Sequence, residues 1–455
     1  MLPAPFLHRL EQALGKDKLS TDPATCLVYG YDHSRRQSLP AAVAFPASHE
    51  DTLALVRVCR EFRIPLTARG RATNTTGAAV PPEGGVAASF ERMQRIAAID
   101  PDNRLAVVEP GVLNGDLQQT LREHGFFWAP DPSSSPFCTV GGNLACNAAG
   151  PRAVKYGSCR ENTLGLHAVA GTGEDFRCGV RTTKGATGYD LTRLLIGSEG
   201  TLALITEATL KLTPSPSAVR TLRATYRDVG TAARAVARIM AQPVTPCALE
   251  FMDRTALDLA RRQAGDVVPE AGAMLMIEVD GEPGALADAA DAVSRAARGE
   301  GLLALHTASD RDQARALWAA RKALSPAQRS LSPHKINEDV VVPVSRLPEL
   351  VADIERLARV HDLPIVSFGH AGNGNLHVNL LPRDETERER ATACLDALFE
   401  RVIALQGTLS GEHGIGLAKR AFMSRALEPA TLSLMHGIKQ CFDPDGILNP
   451  GKLLP

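Results

Sequence analysis

Two histidines and a separate Glu-His pair are the residues of this sequence best equipped for chemistry. In FGHAGNGNLHVNL, residues 368–380, His370 and His377 flank a run of glycine and asparagine. Asn373-Gly374 suits a two-residue hairpin turn, because such a turn needs positive φ at both central positions and these residues tolerate it. That turn predicts His370 directly opposite His377, with Cβ atoms about 4.5–5.5 Å apart, close enough for both imidazoles to bind one metal ion. Two hydrogen-bonded strand histidines are the plainer alternative. A third ligand is offered by SGEHGIG, residues 410–416, where Glu412 and His413 stand between glycines. Two histidines and a carboxylate leave coordination positions open for a substrate oxygen. A neutral His413 beside such an ion would be placed to act as general base. Without the hairpin, a Glu-His pair is an ordinary surface feature.

These groups need a scaffold, and the chain is long enough to build one. Its 455 residues accommodate two or three domains, and 44% hydrophobic with 22% charged residues is ordinary for a globular protein. Fifty basic and fifty-one acidic residues with only 4% aromatics signal neither a nucleic-acid stripe nor a stacking platform. The N-terminal MLPAPFLHRLEQALG lacks a basic-then-apolar leader, and no run of eighteen apolar residues occurs. The chain reads as cytoplasmic, with peripheral contact at the inner membrane left open. Nine cysteines, scattered and without C-x-x-C, argue against a disulfide framework, an iron–sulfur cluster or a structural zinc site.

Along the chain, residues 48–64 read as an amphipathic helix, with Ser48 and Asp51 resembling a capping box and Leu55, Val58, Cys59 and Phe62 at helical spacing. Three glycine-rich stretches then follow, in residues 66–90, 130–157 and 183–212. None is a G-x-G-x-x-G opening a helix after a strand, and none is a G-x-x-x-x-G-K-[ST] loop. Loops of this kind can still cradle a pyrophosphate with backbone N–H groups. The Pro/Ser link TPSPSA, residues 213–218, marks a boundary. Domains are expected at 1–214 and 215–455. In the second, AMLMIEVDG (273–281) reads as a buried strand, and 283–299, 310–323 and 346–361 as helices.

Together the motifs RGRATNTTG, PPEGG, VEPGV, TVGGNLACNAAG, KYG, GYDL, LIGSEGTLALITEATLKL, GHAGNGNLHVN, SGEHGIG and FDPDGILNPGKLLP resemble the FAD-linked oxidase family. Within the vanillyl-alcohol-oxidase-type flavoproteins they are most similar to the D-2-hydroxyacid dehydrogenase branch: D-lactate dehydrogenase, the flavin subunit of glycolate oxidase and D-2-hydroxyglutarate dehydrogenase. The resemblance runs from about residue 30 to the end. It implies an α+β protein: a two-part FAD-binding domain of the PCMH type without a Rossmann fold, then an α+β substrate or cap domain with an antiparallel sheet. The segment from about 415 to 455 is expected to pack back toward the FAD domain.

The resemblance also implies roles. The loop Arg69, Gly70, Arg71, Ala72, Thr73, Asn74 and Thr75 would wrap the FAD pyrophosphate. Pro132, Ser133, Thr139, Gly141, Gly142, Asn143, Ala148, Gly150 and Tyr156 would line the flavin, and Glu199, Gly200 and Ile205 would close the site. The first loop has no histidine for covalent attachment, so FAD is expected to be non-covalent. His370, His377 and Glu412 match the family's metal ligands, with zinc or a similar divalent ion expected. His413 matches the catalytic base, Asn379 a supporting polar residue, and Arg321 the grip on a substrate carboxylate, for which a guanidinium fork is well shaped. Ser325 stands where some relatives have threonine, and a lysine used by relatives falls on Lys335 or is replaced by Asn337. The implied reaction is oxidation of a D-2-hydroxy acid: metal chelation of hydroxyl and carboxylate, proton removal by His413, and hydride transfer to flavin N5. D-Lactate is favoured over D-2-hydroxyglutarate or glycolate, since it needs only a small apolar pocket beyond Cα. The electron acceptor would be a quinone, a cytochrome or an electron-transfer flavoprotein. A homodimer is compatible with the sequence and not derivable from it. Metal-assisted hydrolysis leaves the glycine-rich half unexplained, and a non-catalytic flavin-binding subunit leaves the metal ligands idle.

Overall fold

The computed structural model describes residues 2–265, 268–329, 331–332 and 334–455, with the side chains of 263, 264, 325, 326 and 329 outside that description. The described chain forms two compact units. The first comprises residues 1–149, 157–215 and 412–455; the second comprises Gly150–Tyr156 and Pro216–Gly411.

The first unit contains a four-stranded and a five-stranded sheet. In the smaller one, Ala42–Ala44, Val86–Ser89 and Leu66–Arg69 run parallel and Leu19–Ser20 pairs antiparallel at the edge. Helix His49–Glu61 covers this sheet, burying Leu55, Val56, Val58 and Cys59 against Ala42, Leu66 and Val86. Its start differs from a reciprocal capping box. The Ser48 hydroxyl accepts from the Asp51 N–H, but the Asp51 carboxylate accepts from the N–H of Ala47 and from Lys18. The larger sheet is antiparallel, in the order Ile96–Asp100, Leu105–Val108, Ala203–Lys211, Thr163–Ala170, Asp175–Gly179. Its core includes the fully buried Trp128, whose indole donates to the Asn162 carbonyl at 2.9 Å. The end of the chain returns to this unit: the Leu66 N–H donates to Ile447 O and the Asn449 N–H to Leu66 O, both at 2.8 Å.

The second unit is built on a seven-stranded antiparallel sheet. In order across it lie Leu302–Thr307, Ala218–Tyr226, Ala273–Gly281, Ala248–Asp253, Ile365–His370, Asn375–Leu380 and Ile336–Val341. Helices Val229–Ala241, Pro283–Ala297 and Leu347–Val360 pack on it through apolar stripes. Helices Arg254–Ala264 and Arg311–Arg329 join Met252, Met274, Val366 and Phe368 in a separate apolar cluster through Ala256, Leu257, Ala260, Ala320 and Leu324. Among the described residues no helix is long and apolar enough to cross a membrane.

Candidate active site and its cofactor loops

The hairpin carrying the two histidines corrects the expected register. Phe368, not His370, lies opposite His377, and the reversal passes through a 3₁₀ turn over Ala371–Asn373 before Gly374 at φ 73°. A Cβ at Gly374 would stand 1.9 Å from the Val342 carbonyl, so a close crossing of backbone, not only the turn, demands glycine there. His370 remains on the face of Phe368, diagonal to His377, and the two buried rings meet edge to face with centroids 5.2 Å apart. Cross-strand reach survives the shift because imidazoles span a diagonal pair.

The residue opposite His370 is instead Glu250, on the neighbouring strand Ala248–Asp253. Its Oε1 lies 2.6 Å from His370 Nδ1 and its Oε2 accepts from Arg321 Nε at 2.7 Å, all three side chains being buried. Burial would raise the Glu250 pKa, but the charges of His370 and Arg321 and the histidine hydrogen bond outweigh it and hold the carboxyl down at about 2. A carboxylate on Nδ1 keeps the proton there and leaves Nε2 as a lone pair, the tautomer a metal ligand needs. Arg321, stacked 4.5 Å over Phe368, uses its Nε on Glu250 and carries its remaining donors on the two Nη nitrogens. No motif marks Glu250; its one sequence signal is a carboxylate set among the apolar residues of the strand ALEFMD.

Asn379, fully buried, donates to the carbonyls of Val366 (3.2 Å) and His377 (3.1 Å), while its Oδ1 has no hydrogen-bond partner among the described residues. Asn337 lies directly opposite Asn379; Lys335 precedes that strand and is half-buried. Asp339, opposite His377, accepts from Ser410 Oγ and from the Gly411 N–H, each at 3.0 Å, fixing the two residues before Glu412. The Ser325 side chain lies outside the described residues.

Glu412 and His413 open the last stretch of the first unit, and residues of the flavin motifs hold their loop. Asn74 Nδ2 donates to the His413 carbonyl at 2.8 Å, while Asn74 Oδ1 accepts from the Thr76 N–H at 2.8 Å. Glu199, strained at φ 54°, accepts from the N–H groups of Ile415 (2.6 Å) and Gly416 (2.8 Å). A Cβ at Gly414 would meet Glu199 Oε1 at 2.6 Å, which explains the glycine after Glu-His. Burial pushes the Glu199 pKa up, although the two amides and the charges of Lys452 and Lys419 oppose it. Lys452 is itself pushed down to about 7 by burial, despite the charges of Glu199 and Asp32.

The expected cofactor residues divide by what their side chains already do. Arg69 is turned inward, its guanidinium donating to the Tyr31 carbonyl at 2.6 Å and lying over Tyr29, so its side chain shapes the loop. Arg71 is exposed, Ala72 is held at φ 51°, Thr73 is half-buried, and Thr75 Oγ1 is buried without a hydrogen-bond partner among the described residues. Gly70 abuts the second loop: a Cβ there would stand 2.3 Å from Thr139 Oγ1. Thr139 caps the short helix Val140–Cys146 by accepting from the Gly142 N–H, and Gly141 packs against Pro110. Asn143 is internal, accepting from Asn114 and donating to Cys138. Pro132 and Ser133 lie in the turn before this helix, with the Pro132 carbonyl accepting from Ser135. The Ala148 N–H donates to the Asn143 carbonyl, Gly200 sits at φ 70°, and Ile205 precedes a bulge in its strand. Gly150 and Tyr156 belong to the second unit, where the Tyr156 hydroxyl donates to Asp280 at 2.6 Å. Positive-φ turns, backbone approaches that exclude a Cβ and an orphaned threonine hydroxyl fit a site for a pyrophosphate-bearing cofactor.

Comparison with known proteins agrees with this geometry. Residues 40–179 match the family described as "FAD binding domain" and residues 215–453 that described as "FAD linked oxidases, C-terminal domain". The chain is 37% identical to the glycolate oxidase subunit GlcD of Bacillus subtilis (strain 168), over 98% of this chain and 96% of that protein. It is 35% identical to the D-lactate dehydrogenase of Anaerostipes hadrus, over 91% and 89% of the two chains. It is also 33% identical to the D-2-hydroxyglutarate dehydrogenase of Xanthomonas citri pv. viticola, over 99% and 97%. Among solved structures, p-cresol methylhydroxylase superposes with a TM-score of 0.83 at 18% identity, over 98% of this chain and 96% of that one, a likeness of fold.

Proposed function

The chain belongs to the FAD-linked oxidase family, and from that membership we propose its reaction: oxidation of a D-2-hydroxy acid, D-lactate by preference, to the 2-oxo acid. Its fold is of the vanillyl-alcohol-oxidase type, and it is an FAD-linked dehydrogenase of the D-lactate, glycolate and D-2-hydroxyglutarate branch. The observation that carries the finer proposal is the histidine pair with Glu250 behind it: His370 is held with Nδ1 on a carboxylate and its ring against His377, the donor chemistry of a metal site.

In this reading His370, His377 and Glu412 hold a divalent ion such as zinc, and the loops at 69–75 and 130–150 hold FAD without a covalent bond. When bound, the ion supplies Lewis acidity to a chelated hydroxyl and FAD supplies the hydride acceptor. Arg321 grips the substrate carboxylate through its Nη donors while Glu250 holds the guanidinium in place. His413 takes the hydroxyl proton on its imidazole as Cα–H is lost as hydride; its backbone is fixed by Asn74, and the amides after it by Glu199. Asn379 Oδ1 offers a buried acceptor for a donor in the site. Three anchors around one carbon discriminate its two faces, which supports selection of one enantiomer.

The test is an anaerobic titration of the purified yellow protein with D-lactate, D-2-hydroxyglutarate and glycolate, following the visible flavin band. The expected result is bleaching by D-lactate at the lowest concentration, abolished by a chelator and by His370→Ala while FAD stays bound. Bleaching that persists in His370→Ala, or that only another acid produces, would overturn the metal assignment or the substrate preference respectively.

A further inference from the structure

A second cluster of metal-ligand type lies entirely within the first unit, and no step of the proposed reaction uses it. His49 is the first residue of helix His49–Glu61, His167 lies in strand Thr163–Ala170, and Asp175 begins strand Asp175–Gly179. The strands pair with Val169 opposite Asp175 and Arg177 opposite His167, so Asp175 is on the diagonal beside His167 and on the same face. The two imidazoles stack with centroids 3.7 Å apart and planes at 16°. One carboxylate oxygen, Asp175 Oδ2, lies 3.6 Å from the Nε2 atom of each ring.

The hydrogen bonds around the cluster leave one ring nitrogen of His49 open among the described residues. Thr206 sits at a bulge in the strand Ala203–Lys211, where its hydroxyl donates to the His167 carbonyl at 3.0 Å. That hydroxyl has one proton, so its 2.8 Å contact with His49 Nδ1 requires the histidine to donate. His49 then donates from Nδ1, and its Nε2, buried and without a hydrogen-bond partner among the described residues, faces the Asp175 carboxylate. A cation between that nitrogen and the carboxylate, a proton or a metal ion, satisfies both.

We propose that His49, His167 and Asp175 bind a divalent transition-metal ion of the zinc class, bracing the helix His49–Glu61 to the five-stranded sheet. Ligand atoms of the three lie within 4.8 Å of one another, and tilting the rings brings them to the roughly 2.0–2.2 Å ligand distances such an ion needs. The helix N-terminus opposes a cation at His49, but Asp175 and the adjacent Glu50 supply negative charge, and the nearby Arg177 is paired with Glu207 at 2.7 Å. Asp175 is half-exposed, which gives the ion a way in.

The test uses the full FAD-loaded chain bearing His370→Ala, which disables the other histidine pair, stripped with a chelator and titrated with Co²⁺ and Zn²⁺. The expected result is one ion per chain, a ligand-field spectrum with Co²⁺ and a higher melting temperature with Zn²⁺. Adding His167→Ala should weaken binding by at least about tenfold. Asp175→Asn, at a half-exposed position, gives the same readout should the histidine variant fail to fold. No ion retained in His370→Ala, or binding unmoved by His167→Ala and Asp175→Asn, overturns the proposal. Wild-type chain distinguishes this from the reaction proposed above: two ions if both sites exist, one if only one does.

Discussion

Replacing Glu250 by glutamine would separate the two jobs that this carboxylate performs. Its oxygens contact His370 Nδ1 at 2.6 Å and Arg321 Nε at 2.7 Å, and glutamine offers one acceptor and one donor in the same shape. If the amide oxygen faces His370, its NH₂ opposes the Arg321 N–H and leaves a buried guanidinium unpaired. If the amide turns over, NH₂ faces Nδ1 and drives the imidazole proton to Nε2, where a metal ion would bind. Breaking a buried pair from one side costs about 3–5 kcal/mol. For a unit of this size that lowers the melting midpoint by roughly 6–20 °C. Loss of a carboxylate behind a metal-binding histidine costs about 10–100-fold in metal affinity. Glu250→Gln is therefore expected to show weaker Zn²⁺ binding by equilibrium dialysis, a lower melting midpoint and slower anaerobic flavin bleaching. An unchanged melting midpoint together with metal affinity within about twofold of wild type would refute the triad as the device that sets His370 and Arg321.

Two further outcomes follow from buried carboxyl groups. Asp253 caps helix Arg254–Ala264 and accepts from the Ser367 N–H, and burial raises its pKa to about 7. A raised carboxyl favours its neutral form in the fold, so its contribution is largest below about pH 4 and is lost as pH climbs through about 7. Asp253→Asn should flatten that part of the stability profile in denaturant titrations, and parallel profiles for the two proteins would count against it. Glu199→Ala frees the amides of Ile415 and Gly416 beside His413. Turnover should fall by up to about 100-fold through misplacement of the base while FAD content stays near wild type, and unchanged turnover would exclude this role.

The Asn373-Gly374 step marks a chain reversal legibly, and the antiparallel sheet around it is what the family resemblance implied. Its register is not legible there, because the reversal is a 3₁₀ turn whose glycine is required by the carbonyl of Val342, far away in sequence. One consequence is that His370 faces Glu250, a partnership no local pattern announces. The glycine-rich stretches are readable as places of close approach, and Gly70 against Thr139 bears this out. Motif membership could not separate residues that line a cofactor from those that shape the lining. Arg69 and Asn143 are turned inward onto neighbouring segments of the protein, as hydrogen bonds to Tyr31 and Asn114 attest. His49, His167 and Asp175 were equally silent, because three single residues from a helix and two strands leave no spacing signature.

The return of residues 412–455 to the first unit bears on how the protein is made. Leu66 is bonded on both sides to Ile447 and Asn449, and the Asn449 side chain donates to the carbonyls of Ala78 and Glu199. During synthesis the N-terminal strands emerge long before these partners, whereas the second unit, apart from its short Gly150–Tyr156 segment, is contiguous and ends at Gly411. On the ribosome, the cap sheet can therefore close while the cofactor half still waits for its last strand-side neighbours. A chain truncated after Gly411 would keep every segment of the second unit and lose the last partners of the first, so a fault near the C-terminus would be felt first at the N-terminus.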